Sequence, residues 1–395
     1  MGLYLHIPFC IKKCSYCDFL SFGGIPEEEQ AAYFRALNRE IALNGLIYGK
    51  KYYVDTIFIG GGTPTLAEER LIMVMLDCIK DSFAISPDVE FSMESNPGTL
   101  TRHKLDAYHR GGINRLSIGA QSLDNRLLCG LGRIHTAEEF LDGYRLARDC
   151  GFENINIDLM FAIPGQTMGI WSKTLKEAKA LDPEHISFYS LQIEEDTPFW
   201  FMARNGTIHE ADEELDREMY HYAVDKLESW GFRHYEISNG AKDGFPCRHN
   251  LKYWSMEEYL GLGLGAHSFL EGTRFSNKTD LNEYISTGGL FDDRGYAAAG
   301  TGGLQIEGEE SPFIAQRHRN TREDNISEYL FTGLRKIQGI ELLDFKEKFG
   351  EELEAIHGEV LNKSLENGLM EITGGRLRFT NRGLDISNTV LKEFV

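Results

Sequence analysis

Short apolar runs alternate with stretches of helical period through the first two-thirds of the chain. Residues 3–7, 56–59, 89–93, 115–118, 155–160 and 186–189 are near-continuous hydrophobic segments of strand length. Between them, 27–46, 68–82, 137–150 and 171–181 repeat their apolar positions with helical spacing. Six strand–helix repeats with strands apolar on both faces predict an α/β fold. The expected sheet is parallel and curled into a partial TIM-like (β/α)6 barrel. A strand at 235–237, after a helix over 212–229, is expected to extend it.

The pattern breaks over 270–324, where Gly288, Gly289, Gly295, Gly300, Gly302, Gly303 and Gly308 mark a loop-rich linker. Beyond it, helices are expected at 326–337, 342–349 and 359–367. A Gly374-Gly375 turn then joins strands 369–372 and 376–380. Three helices and a hairpin make a winged-helix-like C-terminal domain. The expected organisation is a barrel over 1–230, an extension over 231–324 and this domain over 325–395.

Charge changes what that domain can do. The chain of 395 residues carries a formal charge of −20, and the segment from Asn325 has nine Lys and Arg against twelve Asp and Glu. Without a basic stripe there is nothing to displace counterions from a phosphate backbone, so nucleic acid is not an expected partner. No apolar run reaches the roughly 20 residues needed to span a bilayer. A cysteine cluster stands where a signal peptide would lie, and unpaired thiols suit a reducing compartment, so a cytoplasmic location is expected.

That cluster is Cys10-Ile11-Lys12-Lys13-Cys14-Ser15-Tyr16-Cys17. Three thiolates cannot saturate a [4Fe–4S] cube, so such a loop leaves one iron open to another ligand. A closed zinc site with His6 as fourth ligand is the alternative. Cys78, Cys129, Cys150 and Cys247 are scattered and read as small buried residues.

Functional groups of parallel barrels gather where strands end. Gly60-Gly61-Gly62-Thr63-Pro64 follows the second strand and allows close backbone approach to a ligand amino group. Glu94 ends the third strand, where a carboxylate can accept from ribose hydroxyls. Gln121 and Arg133 are candidates for a ligand carboxylate, which suits the planar guanidinium. Asp158 is a charge within an otherwise apolar strand, expensive unless used.

Read in order, CxxxCxxC, GGGTP, ESNPGT, RLSIGAQS, LGRIHT and NIDLMFAIPGQT resemble the radical SAM superfamily. The likeness is to the branch containing oxygen-independent coproporphyrinogen dehydrogenase and the HemW heme chaperones. It implies a [4Fe–4S] cluster on Cys10, Cys14 and Cys17. It also implies S-adenosylmethionine surrounded by Tyr4, Gly61, Gly62, Thr63, Glu94, Gln121, Arg133 and Asp158. Phe19 stands where the dehydrogenase carries a further cysteine, and that enzyme's long N-terminal extension has no counterpart before Cys10.

His249-Asn250-Leu251-Lys252-Tyr253-Trp254 matches the HNxxYW signature of the HemW group. The resemblance therefore implies heme as a third cofactor, with His249 as its ligand and Cys247 as an alternative. From residue types alone, His249 reads first as a hydrogen-bonded core histidine, with Tyr253 and Trp254 packing beside it, and it is the family match that turns the reading toward a heme ligand. The partners implied are heme-accepting proteins, membrane respiratory enzymes among them, and a homodimer is a candidate assembly. The other activities open to this scaffold are coproporphyrinogen III dehydrogenation and methyl transfer of the class C type.

Overall fold

The structure is a computed structural model that describes residues 1–298 and 311–394. Gly300, Gly302, Gly303 and Gly308 of the expected linker lie outside the described residues. By its contacts the chain divides into two units. One comprises Met1–Tyr220 with Glu258–His318, and the other comprises His221–Glu257 with the residues from Arg319 onward. The expected extension over 231–324 is therefore not one body. Its first part, which carries His249, belongs with the C-terminal module. Among the described residues no helix is long and apolar enough to cross a membrane.

In the first unit the six expected strands are all present: β1 (Gly2–Ile7), β2 (Tyr53–Gly61), β3 (Ala84–Ser95), β4 (Arg115–Gln121), β5 (Asn154–Phe161) and β6 (His185–Ser190). Each pairs in parallel with the next. On the far side of β1 lies the parallel strand Tyr259–Leu262, followed by antiparallel His267–Leu270 and Thr273–Asn277, so the sheet is mixed. Extension of the sheet beside β1 thus comes from Tyr259–Leu262. The expected strand near 235–237 is Arg233–Glu236, in the second unit.

The two faces of β3–β6 differ, which the sequence reading did not expect. One carries Met93, Leu116, Ile118, Ile155, Ile157, Leu159 and Ile186, all fully buried. The alternate positions Ser92, Arg115, Ser117, Asn156, His185 and Ser187 are buried but polar. They satisfy one another: Asn156 Nδ2 donates to Ser117 Oγ at 2.7 Å, and Ser187 Oγ donates to Asn156 Oδ1 at 3.1 Å. This polar face ends in Glu94 and Asp158.

Glu40, on the helix Glu27–Tyr48, is 1% exposed and ties that helix to the added strands. It accepts from the Gly263 amide at 2.8 Å, from Asn277 Nδ2 at 2.6 Å and from the Tyr284 hydroxyl. Burial pushes its carboxyl up to about 7, against the pull of those three donors.

The second unit contains the hairpin Arg233–Glu236/Asn239–Ala241 and the helix Arg248–Trp254. It also contains helices Arg322–Gly333, Leu342–Phe349 and Leu353–Glu366, and strands Met370–Thr373 and Arg376–Phe379. A third strand, Ile340–Glu341, pairs with Arg376–Phe379. Gly374 and Gly375 have φ of 58° and 80°, the doubly left-handed turn expected of a tight hairpin. Ile326, Leu330, Phe345, Leu353, Leu361 and Leu377 form its core. Ile237 N donates to Arg335 O at 3.1 Å, which joins the 221–257 segment to this module.

Candidate functional site

The cysteine loop leaves the end of β1 and returns beside itself. Phe9–Cys10 pairs with Phe22–Gly23, and Gly24 N donates to Cys10 O at 3.1 Å. Ser15 anchors the tip: its amide donates to Leu131 O at 3.0 Å, and its carbonyl accepts from Phe199 N at 2.9 Å. Gly132, at φ 74°, makes this approach possible, because a β-carbon there would stand 2.6 Å from Ser15 Oγ. Cys10, Cys14 and Cys17 are free, half-buried, and line one cavity of about 330 Å³. Burial raises the Cys10 and Cys17 thiols. Thiolates there call for a metal, which deprotonates its thiol ligands. A three-thiol donor set facing a cavity fits a cluster with one open iron.

His6 is not free to complete a zinc site. Its Nε2 lies 2.8 Å from Leu20 O, which can only accept, so Nε2 carries the proton. Nδ1 then accepts from the Tyr4 hydroxyl at 3.0 Å. Both ring nitrogens are occupied.

The glycine turn lines the same cavity, packed beside the Cys10 end of the loop. Gly61 N donates to Glu94 Oε2 at 3.0 Å, Gly62 N to Ile7 O at 2.9 Å and Thr63 N to Phe9 O at 2.8 Å. With these amides turned inward, the turn has carbonyl oxygens to offer a ligand, and these suit an ammonium. Burial, reinforced by the charge of Asp158, pushes the Glu94 carboxyl up to about 8. Asp158 is held by Ser117 Oγ at 2.9 Å and Asn156 Nδ2 at 2.7 Å. Gln121 sits at φ 62°, where the ladder between β4 and β5 slips by a residue. Arg133 Nη2 donates to Asn96 Oδ1 at 2.6 Å and Gly119 O at 2.8 Å, and Nη1 lies 3.5 Å from Cys14 Sγ. Its buried Nε has no acceptor among the described residues, which leaves one N–H for a ligand carboxylate.

Cys10, Cys14, Cys17, Gly61, Gly62, Glu94, Gln121, Arg133 and Asp158 thus line one cavity, as grouped from sequence. Tyr4 and Thr63 are not among its lining residues. Tyr4 holds His6, and Thr63 Oγ1 lies 3.7 Å from Cys10 Sγ. His249 is in the other unit, fully buried, with Nε2 paired to the Tyr253 hydroxyl at 2.8 Å. That is the core-histidine arrangement. Cys247 is buried as expected, whereas Cys129 is exposed and Cys78 and Cys150 are half-buried.

Sequence reasoning missed Asn96, Tyr189, Gln192 and Glu194, all of which line the cavity. Asn96 stood inside the quoted ESNPGT stretch. Tyr189 ended an expected strand, so its place was the available signal.

The sequence matches the Radical SAM superfamily over residues 4–178 and the HemN C-terminal domain over 320–386. It is 37% identical to a protein named heme chaperone HemW from Bacillus subtilis (strain 168), over 99% of this chain and 98% of that one. The chain belongs to the HemW family of radical SAM proteins. A second protein of that name, from Lactococcus lactis, is 32% identical over 99% of this chain and 96% of its own. The solved structure of coproporphyrinogen III oxidase (HemN) from Escherichia coli superposes with a TM-score of 0.82. It covers 100% of this chain and 89% of that one at 21% identity, a likeness of fold. Family membership implies a [4Fe–4S] cluster and S-adenosylmethionine.

Proposed function

We propose that this chain binds heme and passes it to acceptor proteins, with a [4Fe–4S] cluster on Cys10, Cys14 and Cys17 and S-adenosylmethionine beside it. The observation that carries this reading is likeness over nearly the whole chain to proteins named heme chaperones. The cluster and the sulfonium together supply one-electron chemistry when bound.

The chain's own residues bind and orient. Glu94 accepts from ribose hydroxyls, Arg133 Nε and Gln121 take the carboxylate, and the carbonyls of Gly61 and Gly62 take the ammonium. Asp158, fixed by Ser117 and Asn156, presents a second charge toward the same ligand. Tyr4 and Thr63 act one layer behind, on His6 and on the Cys10 sulfur. The proposed location is the cytoplasm, and the proposed acceptors are heme proteins, membrane respiratory enzymes among them.

His249 is the proposed heme ligand. Because His249 is fully buried and its Nε2 is held by Tyr253, ligation requires the imidazole to be uncovered and that hydrogen bond to break. His249→Ala should lose or shift the Soret band of the heme complex while the iron–sulfur cluster, counted by its acid-labile sulfide, stays intact. Tyr253→Phe keeps the flat ring and loses only the hydroxyl, so it should affect heme binding far less than His249→Ala.

Anaerobic reconstitution, heme titration and a coproporphyrinogen III assay on one sample test the function. The expected result is stoichiometric heme without turnover. Formation of protoporphyrinogen IX at enzymatic rates would make the chain a dehydrogenase. S-adenosylhomocysteine among the products would make it a methyltransferase.

A further inference from the structure

Asn96 touches two side chains, and each of those touches a cluster cysteine. Its Nδ2 donates to Thr63 Oγ1 at 2.6 Å, and its Oδ1 accepts from Arg133 Nη2 at 2.6 Å. The guanidinium can only donate, so the orientation of the amide is fixed without ambiguity. A hydroxyl has one hydrogen. Since Thr63 Oγ1 already receives a donor from Asn96, its own O–H is left to point at Cys10 Sγ, 3.7 Å away. Arg133, steered by Asn96 and the Gly119 carbonyl, places Nη1 at 3.5 Å from Cys14 Sγ. One amide thus aims a hydroxyl at one sulfur and a guanidinium at another.

Hydrogen bonds to ligating sulfurs withdraw electron density and favour the reduced, more negative cluster. A cation beside the sulfur acts in the same direction. We propose that Asn96 is a positioning residue which raises the reduction potential of the cluster by holding Thr63 and Arg133 against the Cys10 and Cys14 sulfurs. The inference rests on the cluster assignment made above and adds the group that tunes it. Asn96 also lines the cavity itself.

The test is the midpoint potential of the reconstituted cluster, followed by electron paramagnetic resonance during a redox titration, with iron counted on every sample. Thr63→Val removes one donor at nearly constant volume and should lower the potential. Thr63→Ser, which keeps the hydroxyl, should restore it. Asn96→Leu releases both arms and should lower the potential further than Thr63→Val. Asn96→Asp keeps the acceptor for Arg133 but turns the Thr63 hydroxyl toward itself. Adding Thr63→Val to Asn96→Asp should therefore produce no further shift. Iron-loaded Thr63→Val with the parent potential overturns the inference, whether or not Asn96→Leu folds. Absence of four irons in the parent protein would instead remove the cluster assignment.

Discussion

Glu94 should govern how the cavity responds to pH. Its carboxyl is pushed up to about 8, so below that it is largely protonated and poorly suited to accept from two ribose hydroxyls. Binding of S-adenosylmethionine is expected to strengthen as pH rises from about 6.5 to 9 and to release a proton. Glu94→Gln should flatten that dependence in calorimetry, and a slope that survives the substitution would contradict the assignment. Arg133→Ala removes a charged donor worth roughly 1.5–3 kcal/mol, so affinity should fall about tenfold to a hundredfold. Glu94 was legible because it closes a strand within a local motif, and Arg133 because it stands in a local motif in the loop between two helices. The work of Asn96 was not, because its partners lie 33 and 37 positions away in sequence. Tyr4 and Thr63 were placed in the right neighbourhood, but spacing alone could not tell contact with the cavity from support behind it.

At the scale of elements, the glycine turn and the Glu40 clasp make the most exposed predictions. Gly61 has φ 114°, and a β-carbon there would stand 2.7 Å from the His6 ring. Gly61→Ala should strain the turn by roughly 1–3 kcal/mol and displace the imidazole that holds Leu20. Urea midpoints and iron content should both fall. Folding raises the Glu40 carboxyl from the ordinary range to about 7. The folded state therefore holds that proton more tightly. The contribution to stability is full at acidic pH and is lost as pH rises through 7. The urea midpoint of the parent protein should fall more between pH 5 and pH 8 than that of Glu40→Gln, and equal falls would contradict the clasp.

The barrel strands were legible because one of their two faces is uniformly apolar. Arg102–Arg110 was missed because only Leu105, Ala107 and Tyr108 of that helix are buried, too short a stripe to read as a period. The polar face of β3–β6 escaped notice for a related reason. Serines and a single asparagine between isoleucines do not interrupt a hydrophobic run, yet they form the floor that leads to Asp158.

At the scale of the whole molecule, the sequence suggested three successive segments, whereas contacts join 221–257 to the chain's last stretch. Arg335 stacks over Trp254 at 4.7 Å, and Lys336 Nζ donates to Ser255 Oγ at 3.1 Å, across some eighty positions that no local pattern spans. The His249 segment thus belongs to the same unit as the C-terminal module. Uncovering of His249 is the step that the proposed heme uptake requires. The hand-over itself is the decisive observable. Heme loaded on the reconstituted protein should move to the apo form of a respiratory b-type cytochrome at a rate that rises with acceptor concentration, as direct transfer demands. A rate fixed by heme dissociation, whatever the acceptor concentration, would contradict the chaperone function.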